Sequence, residues 1–240
     1  MAVRVGTSGY SYTAWKGNFF PADLPNSRML EFYAQKLSTV EINNTFYRMP
    51  TGAALAHWAE QVPEDFVFAL KAPQRITHRK QLLDSGEETS HFLGLTSELG
   101  AKLGPVLFQL PPFMKKDVGR LRDFLDSVPK AFSCAFEFRH ASWMDDEVFE
   151  VLRRTNAALC IADTDEREAE VIPTANWGYL RLRRSDYSGD ALDAWAQRVV
   201  GEWQRAYVYF KHEDKGLGPK FAADFEAAVN RILPTPSRTS

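Results

Sequence analysis

Apolar residues along this chain follow two alternating rhythms. Short runs rich in Val, Ile, Phe and Tyr read as strands near Val3–Ser8, Val40–Phe46, Phe66–Ala72, Val106–Leu110, Ser133–Arg139, Ala158–Asp163, Trp177–Arg183 and Ala206–Lys211, and several are flanked by Gly, Pro or Asn. Between these runs the apolar spacing turns helical. Met29, Tyr33 and Leu37 recur at i+4. Leu192, Trp195, Val199 and Trp203 form one stripe, and Phe221, Phe225, Val229 and Ile232 form another after Pro219, near a first helical turn. Stripes of this kind are the core faces of helices.

Strands alternating with helices imply parallel pairing with helical crossovers. A doubly wound open sheet has the same alternation. A closed barrel is favoured by the number of strand runs and by the first strand's end, where Gly6-Thr7-Ser8-Gly9 is only half of a phosphate-binding glycine fingerprint. The expected architecture is a single (β/α)8 TIM-type barrel of the α/β class over residues 1–233, with parallel strands and outer helices. The Pro/Ser/Thr-rich tail at 234–240 is expected to be frayed. The length of 240 residues suits one such barrel, whose typical size is roughly 250.

Composition narrows the class without naming a reaction. Hydrophobic residues at 45% and charged residues at 25% exclude a disordered chain. With 29 Lys+Arg against 31 Asp+Glu the net charge is −2, so no global field holds nucleic acid, although a local basic patch stays open. Cys134 and Cys160 have no metal-type spacing. Their parity, three residues before Glu137 and Asp163, predicts buried, reduced thiols facing the helices. No apolar run approaches the ~20 residues of a membrane span. The first strand begins almost at once and leaves no room for a signal peptide. A cytoplasmic location, with no membrane partner, is the expectation.

Barrel active sites sit where the strands end, so polar residues late in each run carry the candidate chemistry. The first strand leads into Thr7, Ser8, Tyr10, Tyr12 and Trp15. Glu41, Asn43 and Thr45 share one parity on the second, and Glu137 and Arg139 share one on the fifth, with Trp143 just beyond. Lys71, Gln109, Asp163, Arg181 with Arg183, and Lys211 end the others. Charged residues inside β-runs are rarely left unpaired, so any one pair reads equally as a buried ion pair closing the barrel top. As a set, the cations Lys71, Arg139, Arg181, Arg183 and Lys211 outnumber Glu41, Glu137 and Asp163, a surplus that an anionic ligand would relieve. No two His have metal-ligand spacing, so no metal site is assigned. No cofactor is identified.

At these same residues the chain resembles the YecE-like barrel family, domain of unknown function family seventy-two. The matching segments are Arg4 to Pro21, Val40 to Tyr47 (V-E-I-N-N-T-F-Y), Phe68 to His78, Phe108 to Pro112 (F-Q-L-P-P), Phe136 to Trp143 (F-E-F-R-H-A-S-W), Tyr179 to Arg183 and Val208 to Pro219. The resemblance implies a TIM-type barrel with a site at the strand ends and supplies no reaction. The chain departs from the family pattern at Arg183-Arg184 and Lys211-His212, which add positive charge.

The leading reading is an enzyme acting on a small anionic substrate, such as a phosphorylated sugar or nucleotide. Glu41 and Glu137 are its acid/base candidates, one with a raised pKa and one ionised, and Lys71 is a stabiliser or an amine nucleophile. Arg139, Arg181 and Lys211 hold the anion. Asn43, Gln109 and Asp163 add polar contacts, and Tyr10, Trp15 and Trp143 present aromatic surface. A nucleic-acid-processing or nucleic-acid-binding barrel is a second reading, disfavoured by net charge. A non-catalytic ligand-binding or scaffold barrel is the third.

Overall fold

A computed structural model of the protein describes residues 1–166 and 169–233; the tail expected to fray at 234–240 lies outside them. In chain order the elements are β1 (Ala2–Ser8), α1 (Met29–Ala34), β2 (Thr39–Ile42), α2 (Asn44–Tyr47), α3 (Gly52–Glu60), β3 (Val67–Lys71), α4 (Gly86–Thr96), β4 (Leu103–Gln109), α5 (Val118–Ser127), β5 (Cys134–Glu137), α6 (Asp146–Thr155), β6 (Ala158–Asp163), β7 (Trp177–Leu182), α7 (Gly189–Glu202), β8 (Arg205–Phe210) and α8 (Leu217–Ile232). The strands close into one barrel in sequence order, β8 pairing back onto β1, and every pairing is parallel. The (β/α)8 expectation therefore holds. The crossover from β6 to β7 carries no helix among its described residues.

Local chemistry starts and stops these helices. Asp117, Asp145 and Ser188 accept hydrogen bonds from first-turn N–H groups of α5, α6 and α7, supplying partners that the helix itself lacks. Asn156 ends α6 in the left-handed conformation. Where β1 lies beside β2, Gly6 is required: a Cβ there would fall 1.9 Å from the Thr39 carbonyl oxygen.

Two apolar layers result from strand alternation. Val5, Val40, Phe68, Phe108, Phe136, Leu180 and Val208 face the helices in the outer core. The barrel interior is asymmetric. Trp177, Tyr179, Tyr207 and Tyr209 on β7 and β8 share this interior with Ala69 on β3, Ala135 on β5 and Ala158 on neighbouring β6, so large residues fill the space that small ones leave.

Some expectations shift with the observed strand ends. Strand β2 stops at Ile42, because Asn43 takes helical backbone angles and opens α2. Thr45 is thus on a helix, where its hydroxyl donates to the Lys71 carbonyl oxygen at 2.7 Å. Cys134 faces the helices as expected, but Cys160 packs inside the barrel with Tyr179 and Tyr209. Its parity was reckoned from Asp163 taken as inward, and Asp163 points outward instead. Both thiols are free and buried.

Candidate functional site

The strand ends gather a charged network inside the barrel mouth. Ser8 on β1 pairs beside Glu41 on β2, and Gln109 on β4 pairs beside Glu137 on β5. Tyr179 and Arg181 share one face of β7, so the Arg side chain emerges one layer above the phenol. Arg181 is fully enclosed. Its Nη1 donates to Glu137 Oε2 at 2.6 Å, and its Nη2 donates to Glu41 Oε1 at 2.9 Å and to Ser8 Oγ at 3.2 Å. The second oxygen of Glu41 accepts from the Tyr179 hydroxyl at 2.7 Å, and the Ser8 hydroxyl donates to the first. Asn43 Nδ2 donates to Ser8 Oγ at 2.8 Å. Arg183 reaches the other oxygen of Glu137 at 3.1 Å.

This pairing fixes the protonation states. Burial alone would push the Glu41 and Glu137 carboxyls up. Burial is the largest single influence on each, but the Arg181 guanidinium together with hydrogen bonds from Ser8 and Tyr179 holds Glu41 below the ordinary carboxylate range, and Arg181 with Arg183 and hydrogen bonds from Arg181 and Gln109 holds Glu137 down at about 2. The expected split, one carboxyl raised as a proton donor and one ionised, does not occur. Arg181 bridges both and Arg183 adds to Glu137, so the favourable contacts exceed the repulsion that Glu137 exerts on Glu41. Glu41 and Glu137 are ionised hydrogen-bond acceptors.

Lys71 ends β3 one step away in chemistry. Its ammonium donates to Gln109 Oε1 at 2.8 Å and sits 3.9 Å from the centroid of the Phe46 ring. Among the described residues no carboxylate lies within ion-pair distance of it. Burial, followed by the charge of Arg181, pulls its pKa down to about 8, with Lys211 adding a smaller push the same way. His78, half-buried against the Phe46 ring, is lowered by burial and then by the charges of Lys71 and Arg139. Lys71, His78 and Arg139 therefore share one electrostatic neighbourhood. Lys211 follows β8, exposed, with Glu213 4.0 Å away.

Several sequence candidates lie elsewhere. Asp163 faces the outer layer, where it accepts from the Tyr187 hydroxyl at 3.0 Å and pairs with Arg184 at 2.8 Å. It belongs to a structural clasp that joins β6 to the segment after β7. Trp15 and Trp143 present no ring to the mouth. Trp15 is fully buried beside Phe20, and Trp143 stacks on Phe138 while its indole N–H donates to the Met114 carbonyl oxygen at 2.7 Å. Tyr10 is half-buried against Tyr33. Arg139 falls beyond the end of β5, exposed, so its shared parity with Glu137 carries no inward direction. Arg181, expected to hold a ligand, is enclosed by its two carboxylates. The site residues that sequence reasoning passed over are Tyr179 and Phe46; His78, expected in a loop over the mouth, lies beside Phe46. Tyr179 alone carried a signal, its parity with Arg181.

A cavity of about 480 Å³ adjoins this region, lined by Phe46, Tyr47, Arg75, Arg79 and His91 among others. Phe46 is common to the cavity wall and to the Lys71 and His78 contacts. Among the described residues no group of three His, Cys, Asp or Glu side chains converges to hold a metal ion, and no helix is long and apolar enough to cross a membrane.

Comparison with known proteins covers almost the whole chain. The family model described as "Protein of unknown function DUF72" matches residues 4–239. UPF0759 protein YecE of Escherichia coli (strain K12) is 36% identical over 112 residues, which is 46% of this chain and 41% of that protein. UPF0759 protein YunF of Bacillus subtilis (strain 168) is 31% identical over 160 residues, 62% of this chain and 54% of that protein. The matched stretches thus span about half the length of these relatives. The crystal structure of a DUF72 family protein from Thermotoga maritima superposes with a TM-score of 0.80 at 26% identity, covering 98% of this chain and 100% of that one.

Proposed function

This chain belongs to the family described as protein of unknown function DUF72, and from that premise we propose that it is an enzyme acting on a small anionic substrate at the barrel mouth. The observation that carries the reading is a difference in charge balance. Glu41 and Glu137 are matched by Arg181 and Arg183, and Asp163 is matched by Arg184. Lys71 and Arg139 are left without a carboxylate among the described residues, with Lys211 weakly paired beside them. Cations gathered in a partly desolvated site repel one another, and a phosphate or carboxylate group offsets both costs. Arg139 supplies a planar fork of donors and Lys71 a point charge.

Held ionised and paired with arginine, Glu41 and Glu137 suit fixed negative charge and hydrogen-bond acceptance and not proton donation. Lys71, with its pKa near the working range, is the group able to change protonation during a reaction. Binding of an anion should push the Lys71 pKa back up, so the protein should take up a proton as ligand binds near pH 8. Calorimetric titration of inorganic phosphate and of a sugar phosphate in two buffers of different ionisation enthalpy measures that uptake. Binding without proton uptake removes Lys71 from the anion site, and absence of binding by either probe removes the reading itself.

A second reading has its own observation. Tyr47 and Phe113, in the segments following β2 and β4, are 73% and 65% exposed at the same end as the cations. Exposed rings beside basic groups suit stacked bases of single-stranded nucleic acid. A short oligonucleotide whose binding weakens steeply with salt would favour it over a small metabolite.

A further inference from the structure

Lys71 differs from every other charged group at the strand ends. The side chain occupies the inward face of β3 above Ala69, at the depth of the Arg181 network. It is 8% exposed, so it is neither sealed in the core nor free in solvent. Its polar contact is an amide oxygen, Gln109 Oε1, and its other neighbour is the face of Phe46. An amide oxygen accepts a proton donor without fixing its charge, and a ring face favours the ammonium only modestly once it is part-desolvated. Meanwhile burial first, then the charges of Arg181 and Lys211, favour the neutral amine against the opposing pull of Glu41 and Glu137. A lysine held this way is a nucleophile in waiting: it has a lone pair for a useful fraction of the time at neutral pH. Nothing in the anion-binding reading requires that property, since an ordinary charged lysine would bind an anion better.

We infer that Lys71 is an imine-forming amine, and that the substrate is an anionic aldehyde or ketone whose carbonyl carbon meets Lys71 Nζ while its charged group rests on Arg139 and Lys211. The inference rests on the anionic-substrate reading above and adds the reacting group to it. The neutral Nζ attacks the carbonyl carbon, forming a C–N bond as the C=O π electrons move to oxygen. The carbinolamine then loses water, which carries away the carbonyl oxygen and the two amine hydrogens, leaving a C=N bond. A proton from solvent makes it an iminium. No oxidant or reductant is consumed. Glu41 and Glu137, ionised and within Coulombic range of Lys71, are placed to stabilise that positive charge.

The test is reductive trapping on the full wild-type chain. The protein is incubated at pH 7 with glyoxylate, a small anionic aldehyde, and in parallel with propanal, a neutral one, each with cyanoborohydride. Peptide mapping by mass spectrometry then locates the secondary amine. Lys71 should be alkylated by glyoxylate at least about tenfold faster than the exposed Lys36 and Lys130, because its pKa, pulled down to about 8, leaves it neutral for a useful fraction of the time at pH 7. Its rate should rise to half-maximum near pH 8, inorganic phosphate should slow it, and propanal should label it more slowly. Label spread over surface lysines with no preference for Lys71 overturns the inference, and if phosphate still binds with proton uptake the anion reading survives that failure. Preferred labelling of Lys71 that is equal for propanal and glyoxylate and indifferent to phosphate upholds the amine's role and overturns the anionic half. Because the readout is the site of modification in the wild-type chain, no variant has to fold for the outcome to be decisive.

Discussion

The inward carboxylates and the rim cations of this barrel lie within Coulombic reach of each other and are built on opposite principles. In the network of Glu41, Glu137, Arg181 and Arg183, every charge has a partner of opposite sign at 2.6 to 3.1 Å, and the hydroxyls of Ser8 and Tyr179 take up remaining acceptor capacity. At the rim, Lys71 and Arg139 have none among the described residues, and Lys211 has only a 4.0 Å contact with exposed Glu213. The first arrangement is matched within itself. The second is not, and under the proposed function an anion would complete it. On that proposal structure and function separate by side chain, although both sets sit at the same strand ends.

The largest break in that comparison should come from Arg181→Ala. It strands Glu41 beside Glu137, which retains only Arg183, and removal of one partner from a buried ion pair costs about 3–5 kcal/mol. For a chain of this size that lowers Tm by about 6–20 °C. Thermal melts at pH 7 measure it. The deficit should shrink as pH falls, since protonating Glu41 and Glu137 removes the repulsion. A drop confined to about 2 °C, unchanged with pH, would mean that the network is not what holds the mouth together.

Acid should dissolve the same network without mutation. Glu137 has its folded pKa depressed from 4.5 to about 2, and Glu41 is shifted in the same direction. A depressed carboxylate stabilises the fold fully above its unfolded pKa and loses that contribution as pH falls through the folded value. Stability should therefore decline from about pH 4.5 toward pH 2, by on the order of a few kcal/mol. Glu137→Gln should flatten that window in urea melts recorded across pH. An equally steep decline in the variant would place the acid sensitivity elsewhere.

How much of this was legible follows from which residues obey a period. Strand ends and alternation put Glu41, Glu137, Lys71, Gln109 and Arg181 at the mouth, because all five lie within the observed strands, where a period of two holds. It failed at Asp163 and Cys160, where a single misjudged orientation inverted both. It failed at Arg139 and Thr45, where the strand had already ended and parity no longer meant anything. The deep burial of Trp15 and Trp143 was invisible for another reason: they lie on short turns whose packing depends on contacts distant in sequence, such as Trp143 with Met114. Pairing was the other illegible term. Charge counting found a surplus of cations, but only coordinates reveal that Arg181 and Arg183 are spent on carboxylates and that Lys71 is not.

Lys71→Met should move stability in the opposite direction from the Arg181 variant. A base whose folded pKa is depressed carries a charging penalty that is fully present below the folded value, near 8, and disappears as pH rises to the unfolded value of 10.5. Met keeps the length of the side chain against Phe46 and removes the charge. The variant should melt higher than wild type at pH 7, by about 2–4 °C per kcal/mol recovered. The gap should close between pH 8 and 10.5. A variant less stable than wild type at pH 7 would show that the bond to Gln109 outweighs the cost of burying the charge beside Arg181 and Lys211, and Lys71 would then belong with the matched network.

The smallest effect on stability, and the sharpest on function, should come from Arg139→Ala. Arg139 is exposed, lies past the end of β5 and has no carboxylate partner among the described residues. Surface substitutions away from such partners change stability by no more than about 0.5 kcal/mol, so the ligand-free melt should be unmoved. If the rim is half of a binding site, the loss appears only when the other half arrives. Phosphate should raise the Tm of the wild type in a concentration-dependent way, as any ligand that binds only the folded state does, and that shift should be reduced or abolished in the variant. His78 supplies an independent readout in the same sample. Its pKa is lowered by burial and then by Lys71 and Arg139, so removing Arg139, or covering it with phosphate, should let the imidazole titrate at higher pH by NMR. A rise on mutation with no response to phosphate would place Arg139 near His78 while denying it a ligand. A phosphate shift in Tm that survives the mutation intact would locate the anion away from this rim, and the contrast between a completed network and an incomplete one would lose its functional meaning.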